Sequence, residues 1–217
     1  MPGFQRRAMN AKPTKIICVG RNYAAHAREL GNAVPDRPLL FLKPPSARIG
    51  DGEAIVLPAD SRRVEHEGEI AVIIGRRARD VSEAEALAAV AAYAPLNDVT
   101  ARDLQRLDDQ WTRAKGFDTF CPVGPYVAAE RDWRSLEVIC RVNGELRQHG
   151  RASEMTFGIP MLVSYISRIM TLEPGDIIAT GTPEGVGPLK PGDTVEVELL
   201  GLANVRSPVI ARPEERS

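Results

Sequence analysis

Val64-Glu65-His66-Glu67-Gly68-Glu69-Ile70-Ala71-Val72-Ile73-Ile74 is the stretch on which the reading of this chain turns. Its second half is a short apolar run closed by Gly75, the pattern of a buried strand. Side chains alternate faces along a strand, which puts Glu65, Glu67 and Glu69 on one side. Alternate residues lie about 6.5 Å apart, so two neighbouring carboxylates can converge on one cation where three in a row cannot easily do so. Carboxylates that run into a buried strand are costly unless positive charge meets them. A hard divalent ion such as Mg²⁺ or Mn²⁺, which prefers oxygen ligands, answers that need. The competing reading is a solvated edge strand studded with charge.

Outward from this strand the chain is mostly short apolar runs with Gly and Pro between them. Lys15 to Val19, Pro38 to Lys43 and Ala54 to Leu57 read as strands on the N-terminal side. Asn22 is expected to cap a short helix running to Leu30 and stopped by Gly31. Ser82 with Glu85 forms a capping box that opens an Ala-rich helix to about Ala92, followed by a strand or turn over 93–99. The polar segment from there to Asp118 has no decided helix content. Leu136 to Val142 alternates, Asn143-Gly144 signals a type I′ hairpin, and 145–148 returns. Phe157 to Met170 is the strongest helix, with Ile159, Leu162, Val163, Ile166 and Met170 on or near one face. Strands over 176–179, 194–199 and 203–205 complete an α/β or α+β pattern dominated by short strands. Residues 1 to 13 are expected to form a flexible N-terminal segment, and 212–217 a polar tail.

Composition excludes several classes. With 28 Lys and Arg against 29 Asp and Glu, the net charge of −1 offers no field for nucleic acid or a membrane surface. Hydrophobic content of 43% and charged content of 26% describe an ordinary globular chain. Cys18, Cys121 and Cys140 fit buried thiols in a reducing compartment. No run reaches the length of a membrane span, and Met1 to Lys15 lacks the apolar core of a signal peptide, so a cytoplasmic location is expected.

Three further stretches have chemical potential. Asp98 follows the apolar 91–96 region and, by itself, is more often a turn residue or helix cap than a ligand. His26 and Glu29 stand i, i+3 on one helix face and suit either a surface pair or a base with its orienting carboxylate. Thr180-Gly181-Thr182-Pro183-Glu184-Gly185-Val186-Gly187-Pro188 lacks the Gly-Lys-Ser/Thr ending of a phosphate-binding loop; its three glycines more often mean only turns, though exposed N–H groups there suit a carboxylate.

Taken in order, His26, Glu67-Gly68-Glu69, Asp98 with Gln105, Lys115 and Thr180-Gly181-Thr182-Pro183 resemble the fumarylacetoacetate hydrolase family. Val-Asn-Gly-Glu at 142–145 and Thr-Leu-Glu-Pro-Gly-Asp at 171–176 strengthen the resemblance, which runs from about Lys15 to about Val205 and is to the short acylpyruvase and oxaloacetate-decarboxylase-like members. It implies an α+β fold, a β-rich roll of mixed sheets with a few helices, forming one catalytic domain over 14–217 and usually a homodimer. It implies metal ligands Glu67, Glu69 and Asp98, holding Mg²⁺ with Mn²⁺ or Ca²⁺ as alternatives. Lys115, His26 and Glu29 take the catalytic positions, the last two on a lid helix over Asn22 to Leu30. Arg21, Gln105 and Thr182 take the substrate positions. Some larger members carry an additional carboxylate where this chain has Val19, and Glu65 lies outside the family pattern.

The implied activity is cleavage of a carbon–carbon bond in β-diketo or β-keto acids through a stabilised pyruvate enolate. Acylpyruvate or fumarylpyruvate hydrolysis and oxaloacetate decarboxylation share that enolate, and isomerisation of a 2-hydroxyhepta-2,4-dienedioate uses it without cleavage. The expected partner is a small keto acid, with no nucleic acid and no membrane. A protein that merely holds a structural ion, and a metal-free β-rich interaction domain, are the readings of other classes.

Overall fold

The computed structural model describes residues 11–29, 31 and 33–212. Its strands are β1 (Ile16–Gly20), β2 (Leu39–Lys43), β3 (Arg48–Ile49), β4 (Ile55–Leu57), β5 (Val64–His66), β6 (Gly68–Ile74), β7 (Val90–Asn97) and β8 (Thr100–Ala101). They continue with β9 (Cys121–Pro122), β10 (Val127–Ala128), β11 (Glu137–Val142), β12 (Glu145–Arg151), β13 (Ile177–Ala179), β14 (Gly187–Pro188), β15 (Thr194–Leu199) and β16 (Ala203–Ala211). The α-helices are α1 (Ala24–Glu29), α2 (Glu83–Ala86), α3 (Arg102–Leu107), α4 (Thr112–Lys115) and α5 (Ile159–Ile169).

A six-stranded sheet ordered β10-β7-β6-β13-β1-β2 forms the centre. Only the β1–β13 pair in it is parallel. Both of its faces are covered, which explains the unbroken apolar runs. Ile17, Val19, Ile70, Val72 and Ile74 enter the larger core, while Ile16, Cys18, Ala71 and Ile73 enter a smaller one behind the sheet. A five-stranded sheet, β12-β11-β15-β16-β4, packs against the larger core. A three-stranded sheet, β14-β5-β8, and the β3–β9 pair complete the roll. The fold is therefore the mixed-sheet α+β arrangement expected from the sequence.

The structure revises several local expectations. The acidic stretch is two strands: β5 joins the small sheet, β6 the central one, and Glu67 sits between them. Glu65 thus leaves the face that carries Glu69. Glu85 accepts a hydrogen bond from the Ser82 N–H at 3.1 Å, as the capping pattern requires, and a further one from the Ser82 hydroxyl at 2.7 Å. The helix nevertheless stops at Ala86, a 3₁₀ turn covers Leu87–Ala89, and the alanines beyond belong to β7. Tertiary packing overrides helix propensity there, because Ala92 and Ala94 fill the smaller core while Val90 and Tyr93 fill the larger one. The undecided polar segment holds α3 and α4.

Asn22 is a clamp rather than a helix cap. Its amide donates to Phe157 O at 3.0 Å and Thr180 O at 2.8 Å, and its Oδ1 accepts from the Phe157 N–H at 2.8 Å. The hairpin at Asn143-Gly144 has φ of 54° and 81°, the positive values a type I′ turn requires. Residues 1–10, Leu30 and 213–217, on which the terminal-segment, helix-end and tail expectations partly fall, lie outside the described residues.

Candidate active site

The site forms at the end of the central sheet where β1 and β13 finish and β6 begins. One pocket there, about 270 Å³, is lined by residues from β1 and β6 and by Thr182 just beyond β13, with β2, α1, α3 and the α4 segment closing it. Of the nine site residues expected from the sequence, Arg21, His26, Glu67, Glu69, Asp98, Gln105, Lys115 and Thr182 all line it. Glu29 stands behind, with Oε2 3.1 Å from His26 Nδ1 and Oε1 accepting from the Gly185 N–H at 3.0 Å.

Glu67, Glu69 and Asp98 are all buried, and one oxygen from each lies within 4.8 Å of the others. Lys115 Nζ bridges two of them, donating to Glu67 Oε2 at 2.7 Å and Asp98 Oδ2 at 2.6 Å. Lys43 Nζ takes the other oxygen of Asp98 at 2.7 Å. Arg102 spans Glu65 Oε2 at 2.7 Å and Glu67 Oε1 at 2.5 Å, and donates to Gln105 Oε1 at 2.5 Å. Glu65 is also met by Arg63 at 2.6 Å, so its charge is spent on guanidinium groups.

Glu69 differs from its neighbours. Among the described residues no cationic side chain forms an ion pair with it; its Oε2 accepts the Gly181 N–H at 2.7 Å. Gly181 has φ of 101°, and a Cβ there would meet Asn22 Cβ at 2.7 Å, so only glycine lets this amide reach the carboxylate. Burial, then Asp98 and Glu67, push the Glu69 carboxyl well above the usual range. For Glu67, burial opposes ionisation, but Lys115 and Arg102 outweigh it and hold the group well below that range. Burial likewise disfavours the charged Lys115, and Asp98 and Glu67 more than restore it, leaving its ammonium firmly protonated.

Three hard oxygen donors, one of them outside any ion pair among the described residues, suit a divalent cation. The donor set is open, since three carboxylates supply about half of an octahedral shell.

Glycine between the two glutamates is also a packing requirement. A Cβ on Gly68 would stand 2.9 Å from Cys140 Cβ, so the strand of the second sheet approaches the metal-ligand segment only because position 68 lacks one. Arg21, with φ of 59°, makes the turn from β1 into α1 in the left-handed region, a strained conformation of the kind that gathers at functional sites. Thr182 Oγ1 donates to Gly68 O at 2.9 Å and accepts from Gln148 Nε2 at 2.8 Å.

Sequence reasoning did not single out Arg102, Lys43, Gln148, Trp111 or Phe41. Arg102 had a signal, since it stands i, i+3 from Gln105. Lys43 read only as the end of a strand. Phe41 lies under Lys115 Nζ, 4.9 Å from the ring centroid, with Trp111 edge-on to it at 5.2 Å. Cys18, Cys121 and Cys140 are buried free thiols, as expected.

A β-roll with an open, buried carboxylate triad beside a lysine and a histidine–glutamate pair defines the class of protein to which this chain belongs. Residues 15–210 match the fumarylacetoacetate hydrolase C-terminal family model, and the chain belongs to that family. It is 48% identical over 205 residues to the oxaloacetate tautomerase FAHD1, mitochondrial, of Bos taurus, covering 92% of each chain. The structure of 5-carboxymethyl-2-hydroxymuconate delta-isomerase from Mycobacterium smegmatis superposes with a TM-score of 0.87 at 48% identity, over 94% of this chain and 81% of that one. Fumarylpyruvate hydrolase from Pseudomonas aeruginosa, solved in complex with Mn²⁺ and pyruvate, superposes with a TM-score of 0.86 at 32% identity, over 92% and 90%.

Proposed function

We propose that this protein is a Mg²⁺-dependent enzyme that forms the enolate of a β-keto or β-diketo acid, with oxaloacetate and acylpyruvates as its substrate class. The observation that carries the reading is the juxtaposition of Glu67, Glu69 and Asp98 with the Lys115 ammonium and the buried His26 in one pocket. Relatives named for oxaloacetate tautomerisation and fumarylpyruvate hydrolysis support it, the latter solved with Mn²⁺ and pyruvate.

Glu67, Glu69 and Asp98 would hold the cation, which when bound would supply Lewis acidity to the keto-acid substrate. Lys115 places fixed positive charge where enolate charge develops, in a site where burial strengthens it. Glu29 accepts from Nδ1–H of His26, which fixes the tautomer and leaves Nε2 as the basic nitrogen. Gly185 in turn holds Glu29 in place.

In hydrolysis His26 removes a proton from water, which adds to the distal carbonyl. The carbon–carbon bond then breaks, its electron pair enters the pyruvate enolate, and protonation of that carbon releases pyruvate. In decarboxylation the same enolate forms by loss of CO₂ without water. In tautomerisation a proton leaves carbon as another is delivered to oxygen, or the reverse, and no carbon–carbon bond breaks. Isomerisation is a second reading, favoured by the similarity to the Mycobacterium marinum 2-hydroxyhepta-2,4-diene-1,7-dioate isomerase, 45% identical.

The test is a substrate panel of oxaloacetate, acylpyruvates, fumarylpyruvate and 2-hydroxyhepta-2,4-dienedioate, with and without Mg²⁺. Loss of enol absorbance and pyruvate release are followed. Mg²⁺-dependent turnover of a keto acid supports the proposal; no turnover of any of them overturns it.

A further inference from the structure

Behind Thr182 runs a chain of hydrogen bonds that the chemistry above does not use. Gln148, on β12, is 2% exposed, and His66, on β5, is 1% exposed. The Gln148 amide has one possible orientation. Its Oε1 faces the Gly68 N–H at 2.9 Å, which can only donate, and its Nε2 faces Pro183 O at 2.8 Å, which can only accept. His66 Nδ1, 3.1 Å from the same Oε1, therefore carries a proton.

With the amide fixed, Nε2 must donate to Thr182 Oγ1 at 2.8 Å. All four hydrogen-bonding positions of the amide are then filled. Thr182 is left with its own proton to give, and in this structure gives it to Gly68 O at 2.9 Å.

We infer that Gln148, held by His66, is a positioning residue that fixes the Thr182 hydroxyl as a donor and so adapts this wall of the pocket to a substrate carboxylate. The inference rests on the reading of the pocket as a keto-acid site. A carboxylate is a stronger acceptor than the Gly68 carbonyl, so the proton swings to it when the anion arrives. The oxygen of Thr182, already capped by Gln148, has little reason to turn its lone pairs to the ligand. A reversed amide, or an acceptor in place of Nε2, would draw the hydroxyl proton away and face the anion with lone pairs.

The experiment measures pyruvate binding by calorimetry at saturating Mg²⁺, and Mg²⁺ binding separately, for the wild type, Gln148→Glu, Thr182→Val and the double variant. Gln148→Glu is expected to weaken pyruvate about tenfold or more, the scale of losing a hydrogen bond to a charged group, with Mg²⁺ affinity within about twofold of wild type. KM for the keto acid should rise by a similar factor with kcat changed much less. The double variant should bind pyruvate no worse than Thr182→Val alone, because Gln148 acts only through that hydroxyl. Gln148→Met removes the donor without adding charge and serves if Gln148→Glu does not fold; a loss of about threefold or more is expected. Wild-type affinity in either folded Gln148 variant, or additive losses in the double variant, overturns the inference. Wild-type protein that binds Mg²⁺ but no 2-oxo carboxylate overturns the keto-acid reading itself and, with it, this role for Gln148.

Discussion

Asp98 is a single carboxylate with an ammonium group on each oxygen, Lys43 on one and Lys115 on the other. Such pairing makes a buried anion tolerable, and removing one partner leaves an uncompensated charge. The two lysines nevertheless differ, because Lys115 lines the pocket and Lys43 does not. Lys115→Ala is expected to lower turnover roughly 10²–10³-fold, as loss of a charge aimed at the transition state does, while Mg²⁺ affinity changes far less. Steady-state kinetics beside calorimetry check this; equal losses in both would make Lys115 a support for the metal ligands only. Glu69 gives a pH dependence. Its carboxyl is raised in the folded protein, so its protonated form favours the fold below the ordinary carboxylate range, and that contribution is lost as pH rises through the raised value. A cation competes with the same proton. Mg²⁺ affinity should therefore climb with pH up to that value, by at most about tenfold per unit for one proton, and Glu69→Gln should flatten the curve. At this scale the sequence displayed the run of carboxylates at 65, 67 and 69, but Asp98 by itself read as a turn or cap, and only the family resemblance set it beside Glu67 and Glu69. Arg102 and Gln148 were not legible, because their importance comes from partners 35 and 34 residues away in the chain, at Glu67 and Thr182.

Helix α1 is short, and its position depends on side chains outside it. Asn22 ties its approach to Phe157 and Thr180, and Glu29 ties its end to Gly185. On the proposed function, the helix delivers the base that hydrolysis needs and decarboxylation does not. His26→Ala should lower acylpyruvate hydrolysis by about 10²–10⁴-fold and oxaloacetate decarboxylation much less, with Glu29→Gln showing a weaker bias in the same direction. The ratio of the two rates is the quantity to read, since looser closure slows both. Equal losses would make the helix a cover only. A second element-level device joins the starts of β1 and β13. Asp176 accepts from the Thr14 N–H at 2.9 Å, the Thr14 hydroxyl at 2.7 Å, the Glu173 N–H at 2.8 Å and the Lys15 ammonium. Burial opposes its charge, but these donors outweigh it and lower the carboxyl below its ordinary value. Its stabilisation is thus present above the unfolded value and lost as pH falls through the folded one. Asp176→Asn should cost about 2–3 kcal/mol at neutral pH and less in acid, read from urea unfolding at several pH values. The strands and the hairpin were legible from alternation and turn chemistry. The break at Glu67 and the extended alanines of β7 were not, because neighbouring sheets decide them.

Across the whole molecule, the roll brings carboxylates from β6 and the end of β7 beside a lysine from α4 and a histidine from α1. The net charge of −1 conceals this concentration of charge, which burial makes consequential. No helix among the described residues is long and apolar enough to cross a membrane. The order of residues along the chain was enough to suggest the family, whereas pocket walls such as Phe41 and Trp111 come from packing that alternation does not encode. Binding of a cation to the folded state alone stabilises it by about 2.7 kcal/mol at a hundred times Kd, which for a chain of this size raises Tm by roughly 5–10 °C. The most direct measurement of the central claim is Mg²⁺ titration of chelator-treated protein, with Tm and loss of the oxaloacetate enol recorded in the same samples. Wild type should gain both stability and turnover along one saturation curve, and Glu67→Ala, Glu69→Ala and Asp98→Ala should gain neither while remaining folded. Full turnover in the chelated wild type, or an unchanged titration in the triad variants, would contradict the account.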